Sequence, residues 1–310
     1  MDGILQDLRF AVRTLARRPM FTLVAVATLA LGIGGNTAVF SVVNTVLLRP
    51  LPLPNSDRLV WVWGREFSGR PTASVSPPDF LDYRKGVTGF EEFAAYTSFS
   101  NLVVYADGDR PTELTTQSIT HNFLAALGAS PAHGRVFTEE ETMSAEAEVA
   151  MISHGLWDRL YALDRGVLRT SLRLDGVPYT VVGVMPEGLS FPGADVLLPL
   201  TFGADWYTGR QAHFLRPIGL LSDGAGLSDA QAGLDAVSAR LEAAYPDTND
   251  GWYAIARPLP SVLVGSSVRS ALLMLFAAIT FVLLIACGNV ANLLLARAVG
   301  RRGEVAVRSA

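Results

Sequence analysis

Two charge-free apolar runs, Phe21 to Leu48 and Ser270 to Ala296, stand near the ends of the chain, and between them apolar and polar positions alternate over short stretches. About 20 apolar residues cross the ~30 Å hydrocarbon core of a bilayer as a helix, so each run is long enough to span. At ~1.5 Å per residue each reaches about 40 Å, which requires tilt or an extension beyond the membrane as a stalk.

Between the runs the pattern predicts interleaved strands and helices. Arg58 to Glu66 alternates as a strand, and Pro77 to Tyr83 starts a short helix on its prolines. Tyr96 to Tyr105 and Thr112 to Ile119 flank Asp107-Gly108-Asp109 as a hairpin. Thr138 and Glu141 fit a capping box, so Glu139-Glu140-Glu141 is read as a first helical turn in preference to a metal site. Glu148 to Ile152 is expected as a strand and Ser153 to Tyr161 as a helix. Asp175-Gly176, between Thr170 to Leu174 and Val177 to Val184, is the strongest hairpin signal in the chain.

Asp195 to Leu200 and His213 to Leu221 read as further strands. Ser228 with Gln231 suggests a second capping box, opening a helix that Pro246 stops and whose core face is Leu234, Val237, Leu241 and Tyr245. Trp252 to Arg257 closes the segment as a strand. The order of elements makes residues 49–269 α/β or α+β. No internal repeat and no low-complexity segment is evident.

At the amino terminus, Ile4, Leu5, Leu8, Val12 and Leu15 fall at helical spacing with Gln6, Arg9, Arg13 and Arg17 around the other side. Two readings stand: an amphipathic helix on the membrane face, or a plain positively charged anchor. After the first run, alternate prolines in Arg49-Pro50-Leu51-Pro52-Leu53-Pro54 forbid a helix and favour a stiff, extended exit.

Charge orients this layout. Arg9, Arg13, Arg17 and Arg18 precede the first run, and Arg297, Arg301, Arg302 and Arg308 follow the second, which places both termini in the cytoplasm. These flanks hold eight arginines against Asp2, Asp7 and Glu304, a net of +5, while residues 49–269 carry 17 basic and 26 acidic side chains, a net of −9. The whole-chain charge of −4 conceals this segregation. The first run exceeds the 7–15 residues of a signal-peptide core and ends without an A-x-A site, so an uncleaved anchor is preferred. The one cysteine, Cys287, lies in the second run, and the middle segment therefore folds without disulfides on its own core.

Catalytic chemistry finds no support. His121, His133, His154 and His213 lack metal-ligand spacing, no G-x-S-x-G elbow occurs, and there is no ATP-binding signature. Gly32-Ile33-Gly34-Gly35-Asn36-Thr37 superficially matches a phosphate loop, but it lacks the lysine and lies inside an apolar run. Gly32 and Gly35 are expected instead to admit a neighbouring helix. Asn36 and Asn44 on the first run, with Asn289 and Asn292 on the second, are expected to seek hydrogen-bond partners in the bilayer, unless they are hydrated near its surface.

Several segments resemble a known family, the ABC-type permeases with a MacB-like periplasmic core domain and FtsX-like membrane helices, in particular their duplicated bacterial orphan subgroup. They are Asp7-Leu8-Arg9 to Pro19, LALGIGGNTAVFSVVNTVLLRPLP, YTVVGVMPEG at Tyr179 to Gly188 and FVLLIACGNVANLLLARA at Phe281 to Ala298. The resemblance implies a membrane protein in which two transmembrane α-helices flank an α+β (mixed α/β) extracytoplasmic domain of two subdomains, one of β-α-β units and one inserted into it. On this reading residues 1–19 are a cytoplasmic amphipathic helix, 20–48 the first span, 49–269 the periplasmic core domain, 270–297 the second span and 298–310 a cytoplasmic basic segment. More spans are expected beyond Ala310, since Arg297 to Ala310 runs on as a basic helix without a stop signal.

The family works with an ABC-type ATPase subunit, which binds the ATP, so no catalytic residue, metal or other cofactor is expected in this chain. Candidate ATPase contacts, carried over by position, are Leu8, Arg9, Arg13, Arg17, Arg297, Arg301, Arg302 and Glu304, with lipid headgroups as the alternative. The resemblance also implies a dimeric or pseudo-dimeric permease of the bacterial inner membrane, a periplasmic adaptor as a further partner, and no nucleic acid. ATP-driven closure in the cytoplasm would move the periplasmic domain, in transport or in regulation of other envelope proteins. A two-span sensor with a periplasmic ligand-binding domain is the alternative, and a membrane-anchored hydrolase is the weakest reading.

Overall fold

The computed structural model describes residues 19–44, 53, 55–66, 74–105, 111–144, 146–189, 192–202, 209–263 and 266–308, the last stretch as backbone alone from residue 293. The expected amphipathic helix, most of the proline exit and the Asp107-Gly108-Asp109 turn lie outside these residues. The chain divides into two units, Met1–Arg49 with Val264–Ala310, and Pro50–Leu263.

The first unit is a helix pair. Helix α1 (Pro19–Val43) covers most of the first apolar run. Its partner begins at Ser266, four residues before the expected Ser270, and continues without a break to Arg308 over 43 residues, about 65 Å. Segments Thr22–Val43 and Ser267–Asn292 are long and apolar enough to cross a membrane. Leu31 is 78% exposed and Phe281 66%, a surface suited to hydrocarbon.

The second unit begins with strand β1 (Leu59–Glu66). Helix α2 (Pro77–Gly86) is started by Ser76, whose Oγ accepts from the Asp79 amide at 3.3 Å. The expected strand Tyr96 to Tyr105 is two strands, β2 (Phe90–Thr97) and β3 (Asn101–Tyr105), because the Thr97 hydroxyl donates to the Phe99 carbonyl at 2.9 Å and the chain turns there. β4 (Thr112–Ile119), α3 (Phe123–Ala126), β5 (His133–Gly134) and α4 (Glu139–Met143) follow. Helix α4 has both bonds of its capping box: Glu141 N donates to Thr138 Oγ1 at 3.2 Å, and Thr138 N to Glu141 Oε2 at 2.8 Å.

Next come β6 (Val149–Ile152), α5 (His154–Tyr161) capped by Ser153, β7 (Ser171–Leu174) and β8 (Val177–Val184). Asp175 and Gly176 between the last two have φ of 48° and 87°, the pair of positive values a tight type I′ hairpin needs. β9 (Val196–Pro199), β10 (Leu215–Leu221), α6 (Leu227–Ala244), α7 (Pro246–Asn249), β11 (Trp252–Pro258) and α8 (Leu259–Leu263) complete the unit, and the long partner of α1 is α9 (Ser266–Arg308).

Two features of α6 differ from expectation. The helix starts at Leu227, so Ser228 lies inside the first turn and cannot cap it; instead Asp229 Oδ2 accepts from Gly226 N at 2.7 Å. Gln231 reaches across to β11, donating to Ala254 O at 2.9 Å and accepting from Ala256 N at 2.8 Å. An edge strand is thereby denied to other chains. Leu234, Val237 and Leu241 are buried as expected, but Tyr245 leaves helical geometry at φ −135° and is 42% exposed, with the Arg210 guanidinium 3.6 Å above its ring.

The pairings resolve into two lobes of one sheet. β1-α2-β2 and β10-α6-β11 are two β-α-β units whose strands interleave antiparallel in the order β11-β1-β10-β2, a split β-α-β arrangement. Everything from β3 to β9 is inserted between them. In that insertion β4, β3, β7, β8, β6 and β9 close into a ring, since β9 pairs parallel with β4 and antiparallel with β6. Each of the six strands contributes to one buried cluster, which includes Tyr105, Leu114, Ile152, Leu172, Val181 and Val196. Helices α2 and α6 cover one face of the four-stranded lobe around Phe80, which is fully buried and stacked between Phe93 and Phe202. The other face, with Trp61, Tyr96 and Ile218, packs on Phe123 and Leu127 of the insertion.

Candidate functional site

The polar chemistry of the helix pair gathers at Asn36. Its carboxamide donates to Gly32 O at 3.0 Å and, across to α9, to Ile279 O at 3.1 Å, and its Oδ1 accepts from Thr280 Oγ1 at 3.2 Å. The helices run antiparallel here, with Phe40 beside Phe276 at 6.2 Å between ring centroids. A Cβ on Gly32 would stand 2.8 Å from Leu283 Cδ1, so this glycine permits the close approach. A Cβ on Gly35 would meet Ile279 Cγ2 at 3.7 Å, an ordinary contact. The structure thus brings Gly32, Gly35 and Asn36 to one contact.

Asn289 and Asn292 lie elsewhere, lining a groove with Val24, Ala25 and Thr28, and Asn44 sits just past the end of α1. The partners Ile279 and Thr280 escaped sequence reasoning. A backbone carbonyl leaves no sequence signal, although a lone threonine in an apolar run is a weak one. Leu8, Arg9, Arg13 and Arg17 lie outside the described residues, and Arg297, Arg301, Arg302 and Glu304 are placed on the α9 backbone only.

In the second unit the titratable groups are engaged structurally. His121 lies beside Arg84, which pairs with Glu139 at 3.0 Å; burial, and then the Arg84 charge, hold the imidazole below its ordinary value. His133 and His154 pack on Trp157, and His213 stacks on Trp252 at 3.9 Å. Arg210 binds Asp79 and, at 2.6 Å, Asp82. Among the described residues no group of three or more His, Cys, Asp or Glu could hold a metal ion.

A family model, the MacB-like periplasmic core domain, matches residues 22–242, more than half of the chain. No curated protein matches. Among solved structures, a domain assigned to a permease protein from Porphyromonas gingivalis superposes with a TM-score of 0.51 at 18% identity, covering 68% of this chain and 96% of its own, a likeness of fold. The extracellular domain of the ABC-type transporter YknZ from Gram-positive bacteria gives 0.47 at 16% identity, with 64% of this chain and 99% of that one covered. The periplasmic region of MacB from Actinobacillus actinomycetemcomitans gives 0.48 at 13%, with 68% and 93% covered.

Proposed function

We propose that this chain, which belongs to the MacB-like periplasmic core domain family, is a permease subunit of an ABC-type transporter, anchored in the bacterial inner membrane with its mixed α/β unit on the outer side. The observation that carries the reading is this family match, which takes in the first of two helices fit to cross a membrane and ends before the second. Arginine bias at both termini supports a cytoplasmic placement of the helix ends.

In this reading a separate ATPase subunit binds and hydrolyses ATP, and the chain converts its closure into a change of shape outside the membrane. The Asn36 bonds to Ile279 and Thr280 make α1 and α9 move as one rigid lever. The cytoplasmic end of α9, with Arg297, Arg301, Arg302 and Glu304, together with Leu8, Arg9, Arg13 and Arg17, forms the ATPase contact. Two copies, or two halves of a duplicated chain, face each other within the membrane, and an adaptor outside it is a further partner.

The test is purification of the full-length complex in mild detergent, with and without residues 297–310, and mass spectrometry of what accompanies it. An ABC-type ATPase that is recovered with the whole chain and lost on deletion is expected. Recovery of a signalling kinase, or of no nucleotide-binding protein, would overturn the proposal in favour of a sensor.

A further inference from the structure

On the sheet face opposite α2 and α6, three buried hydrogen-bond donors find no acceptor: the indole Nε1 atoms of Trp61 and Trp63, and Nε of Arg216. All three are donors; the fourth orphan among the described residues, Asn122 Oδ1, is an acceptor whose own amide nitrogen is held by Glu92 and the Phe93 carbonyl on β2. Trp61 is only 7% exposed, and a buried donor without a partner is costly enough to be rare.

The groups are neighbours. Trp61 and Trp63 alternate onto one face of β1 with their rings edge to face at 5.8 Å, and the Arg216 guanidinium carbon lies 5.6 Å from the Trp61 ring centroid. Arg257, which faces Trp61 across the β1–β11 ladder, holds its guanidinium carbon 5.7 Å from the Trp63 ring centroid. Arg216 also hydrogen-bonds the Tyr96 hydroxyl.

Charge sharpens the point. Arg58, Arg84, Arg135, Arg159 and Arg210 each pair with a carboxylate, whereas Arg216 and Arg257, like Arg165, Arg169, Arg173, Arg240 and Arg269, have no ion pair among the described residues. What sets Arg216 and Arg257 apart is their place, each guanidinium beside one of the two indole rings, in a segment whose net charge is −9. An anion would accept from the orphaned donors and pair with the half-buried cation at the same time, where a water could only accept. The indole faces, with Leu53 and Val262 packed on the same core, offer an apolar wall beside the charge.

We propose that this face is a binding site for an amphipathic anion, a carboxylate or phosphate ester bearing an apolar group, with Trp61, Trp63 and Arg216 as its donors and exposed Arg257 at its entrance. The site does not depend on the transport reading, and its test uses no ATPase.

The test follows tryptophan emission and thermal stability of the full chain in a neutral detergent during titration with hexyl phosphate or hexanoate. Inorganic phosphate and hexanol serve as the controls that lack the tail or the charge. Saturable binding of an amphipathic anion is expected, at least tenfold tighter than either control, weakened tenfold or more in Arg216→Gln and measurably in Trp63→Phe, which keeps an aromatic ring, though a smaller one, and removes one donor. Competition by dihexanoyl phosphatidate would identify a lipid as the source, and its failure a free alkyl anion. Absence of saturation with both anions, equal binding by hexanol, or unchanged affinity in both variants would overturn the proposal.

Discussion

Single residues fix the strongest expectations. Phe80 is fully buried between two stacked rings, so Phe80→Ala is expected to destabilise the mixed α/β unit by about 3–5 kcal/mol, read from denaturant unfolding of the solubilised chain. Asn36→Leu removes the side-chain bonds to Ile279 and Thr280, and an interhelical bond of this kind contributes about 1 kcal/mol. Unfolding in mixed micelles should register that loss, and an unchanged midpoint would show the bonds to be idle. His121 sets a pH dependence. Its folded value lies below the ordinary 6.5, so the unfolded chain takes up the proton first. Stability that is present above about pH 6.5 is therefore lost as pH falls below it, and His121→Gln should flatten melting temperature across that window. Glu141 and Asp195, both held below ordinary carboxylate values, begin to lose their contributions only in more acid solution.

Among the elements, legibility followed sequence separation. Caps and hairpins use residues two to four apart, and those at Thr138 with Glu141 and at Asp175-Gly176 stand where the residues pointed. Gln231 misled because its partner lies 23 residues away on β11, so the same side chain that would close a capping box closes a sheet edge. The ring of the insertion was equally invisible, since parallel pairings β4–β9 and β6–β8 depend on contacts no local pattern encodes. Asn36 could be singled out as a polar group in an apolar run, but its acceptor, a carbonyl on α9, could not. The caps make one further prediction. Glu141 both accepts from Thr138 N and pairs with Arg135 at 2.7 Å, so Glu141→Gln should keep the cap and lose only the ion pair, about 0.2–1 kcal/mol, while Glu141→Ala should lose roughly 1 kcal/mol more. Equal melting temperatures for the two variants would contradict that division.

At the scale of the whole molecule, two membrane-crossing helices flank a mixed α/β unit in which one lobe interrupts another. Insertion joins the lobes through two chain crossings, after β2 and before β10, and through a shared core that includes Trp61, Phe123 and Leu197. That arrangement suits a body that changes shape as connected parts, as the proposed conversion of a partner's ATP hydrolysis into movement would require. The decisive measurement is hydrogen exchange of residues 50–263 in the intact complex, reconstituted in nanodiscs and compared between ADP and ATP trapped with vanadate. Exchange that changes in this unit between the two nucleotide states is the predicted result; identical exchange throughout it, with hydrolysis proceeding, would contradict the account.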